Sequence, residues 1–225
     1  MKKVLLGLIP LLIIFAFFVS WFFGSRHQEF IKAVRVGDLR KVQELSTHMP
    51  LFLLDAYHKP PGMGTKSLYG VTALHIAIKH SRVKIIKFLI GEGVNLDALT
   101  AGYRNPLQLA AERGLLEGVD LLLVNDAEVD KCGSTSESKT ALFLAAENLH
   151  PEVVERLLAA GADSQKSDHT GQAPREAARK RQLLYDENSP EERFGYGKNH
   201  KEFNAWVAQR RFQVITLLDQ AVQAK

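Results

Sequence analysis

A single cysteine, Cys132, in a chain of 225 residues excludes a fold held together by disulfides. Acidic residues are missing altogether from residues 1–24, where Lys2 and Lys3 are the only basic ones. The remainder carries 27 Lys and Arg against 25 Asp and Glu. That near-neutral balance lacks the concentrated basic face that neutralises a row of phosphates, so no nucleic-acid partner is expected. Also absent are a phosphate loop, a Gly-x-Ser-x-Gly elbow, a dinucleotide fingerprint and a His-Glu-x-x-His pair, so neither an enzyme nor a cofactor is expected. With 46% hydrophobic and 24% charged residues, the chain is too apolar for disorder and too polar for a multi-span membrane protein.

The lack of charge is extreme from Val4 to Gly24, 21 positions without a charged side chain. As a helix this run would cross about 30 Å of hydrocarbon, with Trp21 near the interface. Signal-peptide cleavage needs small residues one and three positions before the cut, and Phe18, Phe22 and Phe23 stand where the second of these would be for Ser20, Gly24 and Ser25. Residues 1–24 are therefore expected to be an uncleaved membrane anchor, with residues 25–225 as the body. Orientation has two readings. The Met1-Lys2-Lys3 start has the form of a secretory n-region, which places the body outside the cytoplasm, in the periplasm for a bacterial inner membrane. Counting Arg26, Lys32, Arg35, Arg40 and Lys41 after the span favours a cytoplasm-facing tether instead.

The body is internally repetitive. Thr72-Ala73-Leu74-His75-Ile76-Ala77 is matched 33 positions later by Asn105-Pro106-Leu107-Gln108-Leu109-Ala110, and after a further 35 by Thr140-Ala141-Leu142-Phe143-Leu144-Ala145. A fourth copy, Ala173-Pro174-Arg175-Glu176-Ala177-Ala178, follows at 33. Second apolar segments follow the first three copies: Val83 to Ile90, Leu116 to Val124, and Val153 to Leu158. They end in Gly93-Val94-Asn95, Asp126-Ala127-Glu128 and Gly161-Ala162-Asp163. One short helix pair cannot bury such an apolar face alone, and stacking neighbours buries it.

These units resemble the ankyrin repeat, whose Thr-Pro-Leu-His-x-Ala signature is closest at Thr72 to Ala77. The resemblance covers about residues 28–182 and implies an all-α solenoid of four to five helix-loop-helix repeats, with hairpin-like loops on one side. Residues 28–57 look like a divergent first unit, with Phe30, Ile31, Val34, Val42 and Leu45 on one face and Gly37-Asp38-Leu39 at the turn. Residues 59–65 read as a proline-glycine loop and 183–199 as a polar insertion. Residues 200–225 read as a capping helix, with Phe203, Trp206, Val207, Phe212, Ile215, Leu218 and Val222 expected in the core.

Histidines give no metal spacing: His75 and His80 are five apart, and the positions matching His75 are Gln108, Phe143 and Glu176. The resemblance implies instead that His75 bonds the adjacent Thr and the neighbouring repeat's backbone. Cys132 reads as an incidental thiol, and Glu112, Glu117 and Asp120 read as solvated surface. Arg175, Arg179, Lys180 and Arg181 read as a mixed face or as partners of the acidic residues at 186–192.

The resemblance implies a protein-binding module using its concave surface, and with the anchor expected over residues 1–24 the reading is a membrane-held monomer, for which neutralising a toxin or assisting a periplasmic enzyme are both open. The alternative is a cytoplasm-facing scaffold. The variable positions of the family fall on Tyr69, Val71, Lys79 and His80; on Arg104, Glu112 and Arg113; on Lys139, Glu147 and Asn148; and on Lys180 and Arg181. Tyr103 stands beside them, and Tyr and Arg are frequent interface anchors. Arg104 and Arg113 are expected to project into solvent.

Overall fold

The computed structural model describes residues 25–47, 49–55, 70–100, 104–132, 139–180 and 200–224. The anchor expected over 1–24, the loop at 59–65 and the insertion at 183–199 lie outside them. Among the described residues no helix is long and apolar enough to cross a membrane.

The regular elements are helices: α1 (25–36), α2 (Leu39–Ser46), α3 (Leu51–Leu54), α4 (Ala73–Lys79), α5 (Val83–Gly91), α6 (Pro106–Glu112), α7 (Leu116–Val124), α8 (Ala141–Glu147), α9 (Pro151–Ala159), α10 (Pro174–Lys180) and α11 (His200–Gln223). Helices of seven to nine residues are too short to persist in water alone, so tertiary packing must hold them. They stack in two layers. Helices α4, α6, α8 and α10 pack in succession to form an inner layer, while α5, α7 and α9 form an outer one. Alanine makes the close inner packing possible: Ala77, Ala110, Ala111, Ala145 and Ala146 are fully buried. Leu74, Ile86, Leu89, Leu107, Leu122, Leu142 and Leu157 fill the space between the layers. The first unit's Phe30, Ile31, Val34, Val42 and Leu45 belong to the same core.

Left-handed residues turn the chain, two in each of the three units from α4 to α9. Gly37, Ser81, Gly114 and Leu149 have positive φ after the inner helix, and Gly93, Asp126 and Gly161 after the outer one. Glycine suits such positions because it has no Cβ. Leu149, with φ 58° and no exposure, is the costly exception, since its side chain is needed in the core.

Helix α11 lies against α9 and α10. Val207, Val214 and Leu218 are its buried face, while Trp206 and Ile215 are half-buried. Phe212, expected in the core, is 72% exposed, and Val222 is exposed as well. Phe212 lies five residues beyond Val207, about 140° round the helix from the buried face. It stands beside a shallow groove lined by Pro151, Glu155, Thr216 and Leu217. The side chain of Phe203 lies outside the described residues.

Candidate protein-binding face

The inner helices are fixed at their N-termini by side-chain caps. Thr72, Asn105 and Thr140 each accept the backbone N–H three residues on, from His75, Gln108 and Phe143. Two of these third residues reach onward to the next unit. His75 Nδ1 lies 2.8 Å from Thr72 Oγ1, and its Nε2 lies 3.1 Å from the carbonyl of Arg104. Gln108 accepts from Asn105 N–H at 2.8 Å and donates to the carbonyls of Lys131 and Lys139 at 3.1 and 2.7 Å. Burial pushes the His75 pKa down to about 4, against smaller opposing effects of the Arg104 and Ala98 backbone. His75 is thus neutral near pH 7, donating from Nε2. Phe143 has no such bond to offer, so the reciprocal cap is missing in the third copy.

These ties hold the residue just before each cap over its own inner helix. Arg104 Nε lies 3.5 Å from Glu112, and Lys139 Nζ lies 3.0 and 3.1 Å from the two oxygens of Glu147. The two pairs occupy equivalent positions, one residue before the cap and seven after it. Lys139 also sits 5.1 Å from the centre of the Phe143 ring. The expectation that Arg104 projects into solvent is therefore corrected: its side chain is 20% exposed and bound to Glu112. At the same positions of the preceding repeat stand Val71 and Lys79, which cannot pair with one another.

A basic cluster forms where α1, α4 and α6 end. Arg82 donates from Nε and Nη2 to the carbonyl of Arg35, both at 3.3 Å. Its guanidinium covers Gly37, where an added Cβ would come within 2.8 Å of Nε. The same contact recurs at the equivalent position two repeats on, where His150 Nε2 lies 3.2 Å from the carbonyl of Glu112 and the ring covers Gly114. His80, exposed at the end of α4, has its pKa lowered by desolvation and by the positive charges of Arg35, Lys79, Arg82 and Arg113.

Of the candidate contact residues, Lys79, His80 and Lys180 are exposed, and Val71, Arg104, Glu112, Arg113, Lys139, Glu147 and Asn148 are half-buried. Asn148 donates to the Leu144 carbonyl at 2.8 Å. Tyr69, Tyr103 and Arg181 lie outside the described residues. Glu112 and Asp120 are not simply solvated, since Asp120 pairs with Arg156 across the outer layer. Arg175 binds Asp219 of α11, with Nη2 2.9 Å from Oδ2, which fastens the closing helix to α10. Cys132 is a half-buried free thiol. Among the described residues no group of three or more His, Cys, Asp or Glu is placed to hold a metal ion. Arg35 and Arg82 escaped the sequence reading. The positions matching Arg82 are Leu115 and His150, so residue type gives no signal there; the Gly37 and Gly114 correspondence could have pointed to it.

Residues 30–131 and 100–168 match the family model for ankyrin repeats, three copies. Among curated proteins, the chain is 29% identical over 106 residues to a transient receptor potential cation channel subfamily A member 1 homolog of Caenorhabditis elegans, and 30% identical over 106 residues to the Homo sapiens subfamily A member 1 channel. It is 35% identical over 94 residues to the probable E3 ubiquitin-protein ligase XBOS31 of Oryza sativa subsp. japonica. These alignments cover 47%, 47% and 42% of this chain, but only 8%, 9% and 21% of the respective relatives. The chain thus spans only a small part of these relatives' length, and on the match to the family model it belongs to the ankyrin repeat family.

Proposed function

We propose that this protein is a membrane-anchored protein-interaction module that binds its partner through the inner-layer face. One observation carries the reading: side chains at the ends of α4, α6 and α8, from Lys79 and His80 through Arg113 to Asn148, reach the surface of a layer whose other side is consumed by packing. Repeat stacks present extended surfaces of this kind without needing a catalytic centre. Residues 4–24 supply the anchor, because 21 uncharged positions suffice to span hydrocarbon. The body faces the periplasm of a bacterial inner membrane as a monomer, where toxin neutralisation or support of a periplasmic enzyme are the matching roles.

The test is co-purification of bound protein with the full chain extracted in detergent. His80→Glu together with Arg113→Glu should remove the bound protein, while Lys84→Glu with Lys87→Glu on the exposed side of α5 should not. Equal retention by both pairs would move the site away from the inner layer. Alkaline phosphatase joined after Lys225 reads the orientation separately: activity supports the periplasmic body, and inactivity supports a cytoplasm-facing tether.

A further inference from the structure

The charges of the inner layer are not spent evenly along the stack. In the repeats of α6 and α8, the acid near the helix end is matched by a base before the cap, as Arg104 with Glu112 and Lys139 with Glu147. In the repeat of α4 those two positions hold Val71 and Lys79, and among the described residues Lys79 has no carboxylate partner. The preceding residues 56–69 carry Lys59 and Lys66 and no acidic residue, so that stretch has no carboxylate to offer. Beside Lys79 lie His80, Arg82, Arg35 and Arg113, and the charges bearing on His80 are all positive. Of the acids at this end, Glu112 is paired with Arg104, and Asp38, next to the Gly37 that Arg82 covers, caps α2 by accepting Lys41 N–H at 3.0 Å. Arg82 is also preoriented, since two of its N–H groups are fixed on the Arg35 carbonyl above Gly37.

We propose that this end of the inner layer, formed by Arg35, Lys79, His80, Arg82 and Arg113, receives an acidic segment of the partner protein, rich in Asp or Glu. The inference rests on the interaction-module reading and adds the partner's chemistry to it. Part of the basic charge complements the C-termini of α4 and α6, but that interaction is small and leaves the exposed Lys79 able to pair, with neutral His80 beside it as a hydrogen-bonding group. A row of carboxylates supplies what the Val71 position does not, and Arg can take them in bidentate fashion. Glu147, one repeat farther along the same layer, bounds the favourable field on that side. A short acidic segment fits this better than a long polyphosphate chain or a broad anionic membrane.

The experiment measures binding of fluorescein-labelled poly-glutamate to the full chain in detergent micelles, by fluorescence anisotropy at low and raised salt. Lys79→Glu with Arg113→Glu should weaken binding about tenfold or more, and raised salt should weaken binding by the unaltered chain. Lys84→Glu with Lys87→Glu makes the same change in net charge on the outer layer and should leave binding intact. Lys79→Ala with Arg113→Ala, checked by circular dichroism, keeps the test valid if charge reversal disturbs the fold, and should also weaken binding. Equal loss in the inner and outer reversals, absence of binding by the unaltered chain, or patch-dependent capture of phosphatidylserine vesicles in preference to the peptide would each overturn the proposal. If poly-glutamate fails to bind while the inner-layer variants still lose the co-purified protein, the acidic class falls and the interaction module stands. Co-purification indifferent to every inner-layer change would overturn the module reading itself.

Discussion

Replacing His75 by Gln should make the fold less sensitive to acid while barely changing its stability at neutral pH. Gln108 shows that an amide at this position can accept from the cap residue's N–H and donate to the following hairpin. His75→Gln can therefore keep both ties, and a change within about 1 kcal/mol is expected at pH 7. The difference emerges on acidification. Folding lowers the His75 pKa to about 4 from an ordinary value of 6.5, so between those values the unfolded chain binds a proton that the folded chain refuses. Stability is therefore full above the unfolded pKa and falls as pH drops from about 6.5 towards about 4. At about 1.4 kcal/mol for each unit, acidification to pH 5 removes about 2 kcal/mol through this one side chain. His150 adds in the same direction, because burial and then the Arg210 charge lower its pKa against the Glu112 carbonyl and Glu152. It remains in the variant, so some acid sensitivity should remain. Urea unfolding of the full chain in mild detergent, followed by circular dichroism at pH 7 and pH 5, reads the effect. The unaltered chain should lose about 2 kcal/mol more than the variant over that range. Equal losses would refute the neutral, buried role assigned to His75.

Three further outcomes follow from the packing and the sequence. Leu107→Asp, at a site 1% exposed between stacked units, should cost about 3 kcal/mol or more; an unchanged melting temperature would contradict the stacking. Gly114→Ala should cost about 2 kcal/mol, because φ is 66° and the new Cβ would lie 2.6 Å from His150 Nδ1, displacing the ring from the Glu112 carbonyl; a melt like that of the unaltered chain would argue against this contact. Removing residues 1–24 should leave a soluble, helical monomer, and persistence of the truncated chain in the membrane fraction would count against the proposed anchor.

The repeats were legible because each position has one dominant physical demand. An apolar skeleton at a spacing of 33 to 35 residues, alanines where helices approach, and glycine at left-handed turns identify the stack from the sequence. Asp126 could be found the same way, since it falls where Gly93 and Gly161 stand. Leu149 could not, because core filling overrides the backbone preference at that turn. The face was less legible. Variable positions identify which residues can reach a partner, but not which of them the protein uses internally, and Arg104 and Lys139 belong to the second group. Ion pairs depend on the distance between a hairpin base and a helix end, a separation that one sequence does not encode as a pattern. Phe212 was misplaced for a related reason: the period of α11 is imperfect, and only its seat against α9 and α10 decides which turns face inward.

The central claim, that recognition occurs on the inner layer, is tested most directly by site-specific photo-crosslinking in the cells that make the protein. A benzoylphenylalanine at His80 should capture the partner, whereas one at Lys87 on the outer layer should not; capture from Lys87 with none from His80 would contradict the account.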